Sequence, residues 1–268
     1  MLTLIKFDLK NTWFKIALYC GVIAVFTLFS TYFWSASFEG FFDDTNFYWV
    51  TIFKLGSLGV TGAVCCICLI MTFIALAQWF AQNLFAEEGH FMNMLPISKI
   101  KLFLSKVITA LIWNAAIIVF IILCICFFLL FGDRFAQIND VASDLMGGRA
   151  DSFHIGYMFV QISALLICHC TAVTVLAYTS VCLGQLVDIG KNLLVLAGFL
   201  GVGLAELIIS VMLAYFLGVF NMGGMDTVSG ILSYFGSTCI KMSAVSVINC
   251  ALTFALGSYL ISSGLNVD

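Results

Sequence analysis

Charge is what this sequence has least of. Only 9% of its 268 residues are Asp, Glu, Lys or Arg, while 63% are hydrophobic. A soluble domain carries about 25% charged residues. A chain so poor in charge cannot cover a water-facing surface, so the composition specifies a polytopic integral membrane protein. Proline is rarer still, with Pro96 the one example. The net charge of −3 comes with no basic patch, which removes the electrostatic footprint of a nucleic-acid binder. The expected partner environment is the lipid bilayer.

A nucleotide signature is also missing. The nearest approach to a phosphate-binding loop is Gly184–Asn192, GQLVDIGKN. It has five residues between its glycines where four are needed, and Asn192 stands where a magnesium-binding hydroxyl belongs. No ATP or Mg site is expected in this chain, nor any other cofactor, metal or catalytic residue. Cysteine is not scarce, at eleven. Ten of the eleven fall inside apolar runs, where a free thiol packs as a small hydrophobe. Cys168-His169-Cys170 looks metal-like, but consecutive side chains on a helix point about 100° apart and cannot converge on one ion.

Long charge-free runs are what is there. A spanning helix needs about 20 apolar residues. Six runs meet that length: 16–34, 55–80, 107–131, 155–183, 192–220, which only Glu206 interrupts, and 242–262. The fold class expected is all-α, six transmembrane helices in a single membrane domain over 1–268. The alternation of a β-barrel is absent from the sequence. Ahead of the first run, Leu2, Ile5, Leu9 and Trp13 recur near helical spacing among Lys6, Lys10 and Lys15. That pattern suits an amphipathic helix on the membrane surface, leading into an uncleaved first span. Patch 231–235 fits either a re-entrant piece or an ordinary loop.

Lysine and arginine orient the bundle. With both termini cytoplasmic, Lys6, Lys10, Lys15, Lys99, Lys101, Lys106 and Lys191 lie inside, against Lys54, Arg134, Arg149 and Lys241 outside. The stretch 82–106 is then a cytoplasmic connection. Gly89 suits a helix end, Pro96 biases Leu95 away from helix, and Ser98 suits a helix cap. Phe91, Met92, Met94 and Leu95 are apolar side chains in a water-facing stretch, and they need a cover of lipid or protein.

Two polar residues interrupt the spans. Glu206 lies midway along the fifth, where an acid costs about 2.5–3.5 kcal/mol to insert. It reads either as a cavity-lining group on a translocation path or as a structural acid bonded to a neighbouring span. His169 in the fourth span carries the same two readings. Ala197 and Gly201 have small-x-x-x-small spacing just before Glu206, and Gly56, Gly59 and Gly62 open the second run. Both groups suit close helix packing, which for the second could be within the chain or at a dimer interface.

The connection resembles the intracellular loop of type-2 ABC export permeases. Glu87-Glu88-Gly89, then Leu95-Pro96-Ile97-Ser98, then Lys106 opening the next span carry the likeness, and Lys6-Phe7-Asp8-Leu9-Lys10 is similar to the opening of such permeases. The motif covers about 25 residues, and the six-span plan extends the likeness in outline to the whole chain. The resemblance implies that Glu87, Glu88, Gly89, Phe91, Leu95, Pro96 and Ser98 form a coupling element seated on a separate ABC ATPase. It implies two ATPase copies holding ATP and Mg, and a second permease protomer, identical or not. It also implies a bacterial-type plasma membrane and export of a peptide, antibiotic or lipid-like cargo. Two other classes stand beside it. One is a proton-coupled secondary transporter using Glu206 and His169. The other is a non-transporting immunity or sensor protein.

Overall fold

The computed structural model describes residues 2–35, 47–85, 98–131, 152–186, 191–220 and 228–263. They form six helices: α1 (Leu2–Ser35), α2 (Phe47–Phe85), α3 (Lys99–Phe131), α4 (Ser152–Gly184), α5 (Lys191–Phe216) and α6 (Val228–Ser263). No strand occurs among the described residues. All six are long and apolar enough to cross a membrane. An all-helical protein with six membrane-spanning helices is therefore what the chain builds. In hydrocarbon only a helix satisfies every backbone group within its own segment.

The helices overrun the charge-free runs. Residues 2–15 are not set apart from the first span but continue into it as one helix. The stripe that packs against other helices is not the Leu2-Ile5-Leu9-Trp13 one. The residues buried along this stretch are Leu4, Asp8, Thr12 and Ile16, while Leu2 and Trp13 are exposed. A bilayer solvates apolar side chains, so polar ones turn toward the other helices. Residues 228–241 are neither loop nor re-entrant piece but the first part of α6, which runs 36 residues. At 1.5 Å per residue that is about 54 Å, well beyond a hydrocarbon core of about 30 Å.

The fifth helix has a defined stop. Gly218 adopts φ 64°. Val219 N–H donates to the Ala214 carbonyl at 2.9 Å, and Gly218 N–H to the Tyr215 carbonyl at 3.0 Å. This is a Schellman cap, and glycine takes the left-handed conformation without a Cβ clash. Two α6 side chains complete it. The Tyr234 hydroxyl donates to the Val219 carbonyl, and Lys241 Nζ reaches the Gly218 carbonyl at 3.5 Å. Lys241 thus places positive charge where the helix dipole is negative.

The chain divides into two compact units. One gathers the described residues of Met1–Trp13, Phe73–Ala115 and Tyr157–Asp268. Its core joins Leu4, Leu76, Phe80, Phe103, Tyr178, Cys182 and Ile261. Phe80 stacks on Tyr178 at 4.2 Å between ring centroids, and Phe103 stacks on Phe254 at 5.3 Å. Phe80 also meets Phe103 edge to face at 5.9 Å. The other unit gathers the described residues of Phe14–Thr72 and Ala116–Gly156. There the Thr61 hydroxyl donates to the Phe26 carbonyl at 3.3 Å, and Trp34 meets Phe128 edge to face at 5.8 Å.

Candidate functional site

The strongest polar feature of the first unit is built from α1, α2 and α3. Lys106 Nζ donates to Asp8 Oδ1 at 2.8 Å and to Asn83 Oδ1 at 2.6 Å. Both charged side chains are fully buried. The ammonium also sits over the Trp79 ring, 3.9 Å from its centroid. Asp8 Oδ2 has no hydrogen-bond partner among the described residues. Each element contributes by helical period. Asp8 belongs to the buried 4-8-12-16 stripe of α1. Trp79 and Asn83 are four apart on α2 and share a face.

One turn further on, Thr12 Oγ1 accepts from Trp113 Nε1 at 2.8 Å. The pairs 8/106 and 12/113 advance together, so α1 and α3 run parallel here. A buried ion pair must recover the desolvation of both charges through close geometry and further hydrogen bonds. The Asn83 bond and the Trp79 ring supply those extra contacts. Lys106 is therefore not a lysine resting at the leaflet surface as its place in the lysine count implies. Lys6, Lys10, Lys15, Lys99 and Lys101 are exposed, whereas Lys106 turns inward.

This cluster brackets the connection singled out above. Asn83 lies two residues before the end of α2, and Lys106 lies within the first turns of α3. The lysine joins the two flanks to each other and to α1. Glu87, Glu88, Gly89, Phe91, Leu95 and Pro96 lie outside the described residues. Ser98 is described and stands immediately before α3. Its carbonyl accepts from Lys101 N–H at 2.9 Å and from Leu102 N–H at 3.2 Å, which is the N-cap position expected of it.

Glu206 occupies a second polar seam, between α5 and α6. Thr253 lies against its carboxyl. One turn away on each helix, Asn249 Nδ2 donates to Ser210 Oγ at 2.6 Å. The pairs 206/253 and 210/249 run in opposite senses, as two antiparallel spans require. Glu206 Oε1 and Asn249 Oδ1 are buried and have no hydrogen-bond partner among the described residues. Thr179 Oγ1 of α4 donates to the Thr253 carbonyl at 3.1 Å and ties the seam to a third helix.

His169 does not join this seam. It is exposed on α4. Nor does the small-residue pair behave as its spacing suggests. A Cβ on Gly201 would meet nothing within 4 Å, whereas one on Gly198 would stand 3.2 Å from Leu183 and one on Gly203 3.5 Å from Leu176. The close approach of α5 to α4 runs through Gly198 and Gly203. Gly56, Gly59 and Gly62 also face open space.

Trp79 and Asn83 carry no motif, and sequence reasoning passes over them and Asp8 as site residues. The usable signal was Asp8, one acid among the lysines of a stretch whose polar face has to turn somewhere. All eleven cysteines are free thiols. No group of three His, Cys, Asp or Glu able to hold a metal occurs among the described residues. No family model, curated protein or solved structure matches this chain.

Proposed function

We propose that this chain is the membrane permease subunit of a type-2 ABC exporter. It works as one of two protomers, each seated on a separate ATPase that holds ATP and Mg. The observation that carries the reading is the Asp8–Asn83–Lys106 cluster around the 86–97 connection. A segment that receives force from a soluble motor needs flanks that move as one body. A buried ion pair joining the end of α2, the start of α3 and the start of α1 supplies that stiffness. The Glu87-Glu88-Gly89 and Leu95-Pro96-Ile97-Ser98 resemblance supplies the docking residues.

In this mechanism ATP binding draws two ATPases together beneath a bacterial-type plasma membrane. The 86–97 connection passes that movement to α2 and α3, and a path between protomers opens outward to a peptide, antibiotic or lipid-like cargo. Glu206 is the candidate path residue. His169, exposed on α4, is the candidate for contact outside the chain. The test is co-purification. Tagged protein from its native host should bring down an ABC ATPase whose hydrolysis rate in proteoliposomes depends on this subunit. Recovery of a folded protein with no ATPase under several mild detergents would remove the reading.

A further inference from the structure

We propose that the α5–α6 seam is a proton-binding site, with Glu206 held as the neutral acid and its hydrogen given to Asn249 Oδ1. The proposal rests on the membrane spans and not on the permease reading. Hydrogen donors are what the seam lacks. Ser210 Oγ donates to the Glu206 carbonyl at 2.7 Å, and Thr253 Oγ1 to the Asn249 carbonyl at 2.8 Å. Thr179 Oγ1 divides its hydrogen between the Val175 and Thr253 carbonyls, at 3.0 Å and 3.1 Å. Thr253 lies against the Glu206 carboxyl, yet its one hydrogen is already committed elsewhere. The Asn249 amide gives a hydrogen to Ser210 Oγ. Two acceptors are left over, Glu206 Oε1 and Asn249 Oδ1, both buried and neither with a hydrogen-bond partner among the described residues.

These two oxygens belong to one contact. Glu206 and Ser210 are a turn apart on α5, and Asn249 and Thr253 are a turn apart on α6. Size then selects the occupant. Both oxygens are closed off from anything as large as water, so neither a water nor an alkali cation reaches them. A proton needs no room. One hydrogen on the Glu206 carboxyl turns a surplus acceptor into a donor, and the other surplus acceptor receives it. Each buried acceptor left unmet would cost free energy that this single bond recovers.

Charge points the same way. Glu206 lies near the middle of the Asn192–Phe216 span, where an ionised carboxyl is costly and neutralises instead. The ion pair found among the described residues is Lys106 with Asp8, so no described cation answers Glu206. The titratable side chains that interact with it electrostatically are the Cys250 thiol of α6 and, through Cys250, the Cys168 thiol of α4. Neither brings positive charge. Turning the Asn249 amide over would offer Glu206 a nitrogen donor, but would leave a full negative charge inside the span. Release of the proton to water would replace one hydrogen bond by a charge and two facing acceptors, and α5 would part from α6 there. The seam is a helix contact that a proton closes.

The experiment is infrared spectroscopy of the full chain in lipid nanodiscs at neutral pH. No ATPase is present, so its outcome is independent of the permease reading. The difference spectrum of the parent chain minus Glu206→Gln should contain the C=O stretch of a neutral carboxylic acid and no carboxylate band. Glu206→Gln keeps the shape of the side chain, so this readout does not depend on a disruptive variant. Asn249→Leu should shift the stretch, because it removes the acceptor of the acid hydrogen. Thermal unfolding supplies a second readout. An ordinary glutamate titrates near pH ~4.3, so the unfolded chain has lost this proton at neutral pH while the native seam keeps it. The native state then binds more protons, and stability falls as pH rises. The parent's midpoint should fall more steeply than that of Glu206→Gln between about pH 5 and about pH 9. A carboxylate band in the difference spectrum, or parallel pH profiles, would mean that a turned-over Asn249 amide or a second protomer meets the charge, and would overturn the proposal. So would an acid stretch that Asn249→Leu leaves in place.

Discussion

Lys106 shows how one side chain can serve two physical roles that a sequence cannot separate. A lysine near a span end ordinarily stretches its stem toward headgroups. Here it turns inward to Asp8, Asn83 and Trp79. Pairing partners 98 and 23 residues away are tertiary facts that no local pattern encodes. Removing one partner of a buried pair leaves an uncompensated charge and costs about 3–5 kcal/mol. Lys106→Met should therefore lower the unfolding midpoint in detergent sharply. The double variant with Asp8→Asn should regain most of the loss, because no buried charge remains. A double variant no more stable than Lys106→Met alone would show that the ion pair is not what holds α1 to α3. Glu206 was legible for the opposite reason, since an acid in an apolar run is costly wherever it points. Glu206→Gln keeps the shape and an acceptor for the Thr253 seam, so it should fold and assemble normally. On the translocation reading it should still impair export, and unchanged export across a range of pH would leave Glu206 a purely structural acid.

The elements themselves were legible as six apolar runs, because hydropathy reports which residues can sit in hydrocarbon. Their ends were not. Hydropathy is blind to helix that continues past the slab, and so it missed 2–15 and 228–241 as parts of α1 and α6. The Gly218 cap was also invisible, since glycine marks many things in a membrane helix. Glycine spacing misled for a related reason: which small residue meets a neighbour depends on the rotation of the helix. Gly257 is a case where the contact is tight. A Cβ there would stand 2.8 Å from Phe103 Cζ and 2.9 Å from Thr179 Oγ1. Phe103 is held by stacking on Phe254 and edge contact with Phe80, so it cannot yield cheaply. Gly257→Ala should destabilise by about 1–3 kcal/mol through overpacking. Gly201→Ala, with nothing within 4 Å, should be neutral or slightly stabilising through reduced freedom of the unfolded chain. Thermal unfolding of the two variants side by side checks the contrast, and equal midpoints would mean that α6 shifts freely against α3 and α4.

At the scale of the whole molecule, the permease reading asks that docking and force transfer be separable from folding. The architecture supplies a reason to expect this. The 86–97 connection begins and ends at helices already tied together by Lys106, so changes within it need not loosen the core they depart from. Glu88→Lys reverses charge on the proposed docking face, and Leu95→Trp enlarges an apolar tip meant for a groove. Both should leave expression and the unfolding midpoint close to those of the parent chain. Both should let ATP hydrolysis proceed while export falls, measured as cargo released per ATP consumed in proteoliposomes containing both subunits. Lys106→Met should instead lose stability first, and export only in proportion to the folded fraction. Two classes of variant with different signatures follow: those in the buried polar clamp, and those in the gripping surface that the permease reading assigns to 86–97. If Glu88→Lys and Leu95→Trp retained full export per ATP, the connection would be an ordinary link between α2 and α3. The clamp would then have to be explained by stability alone.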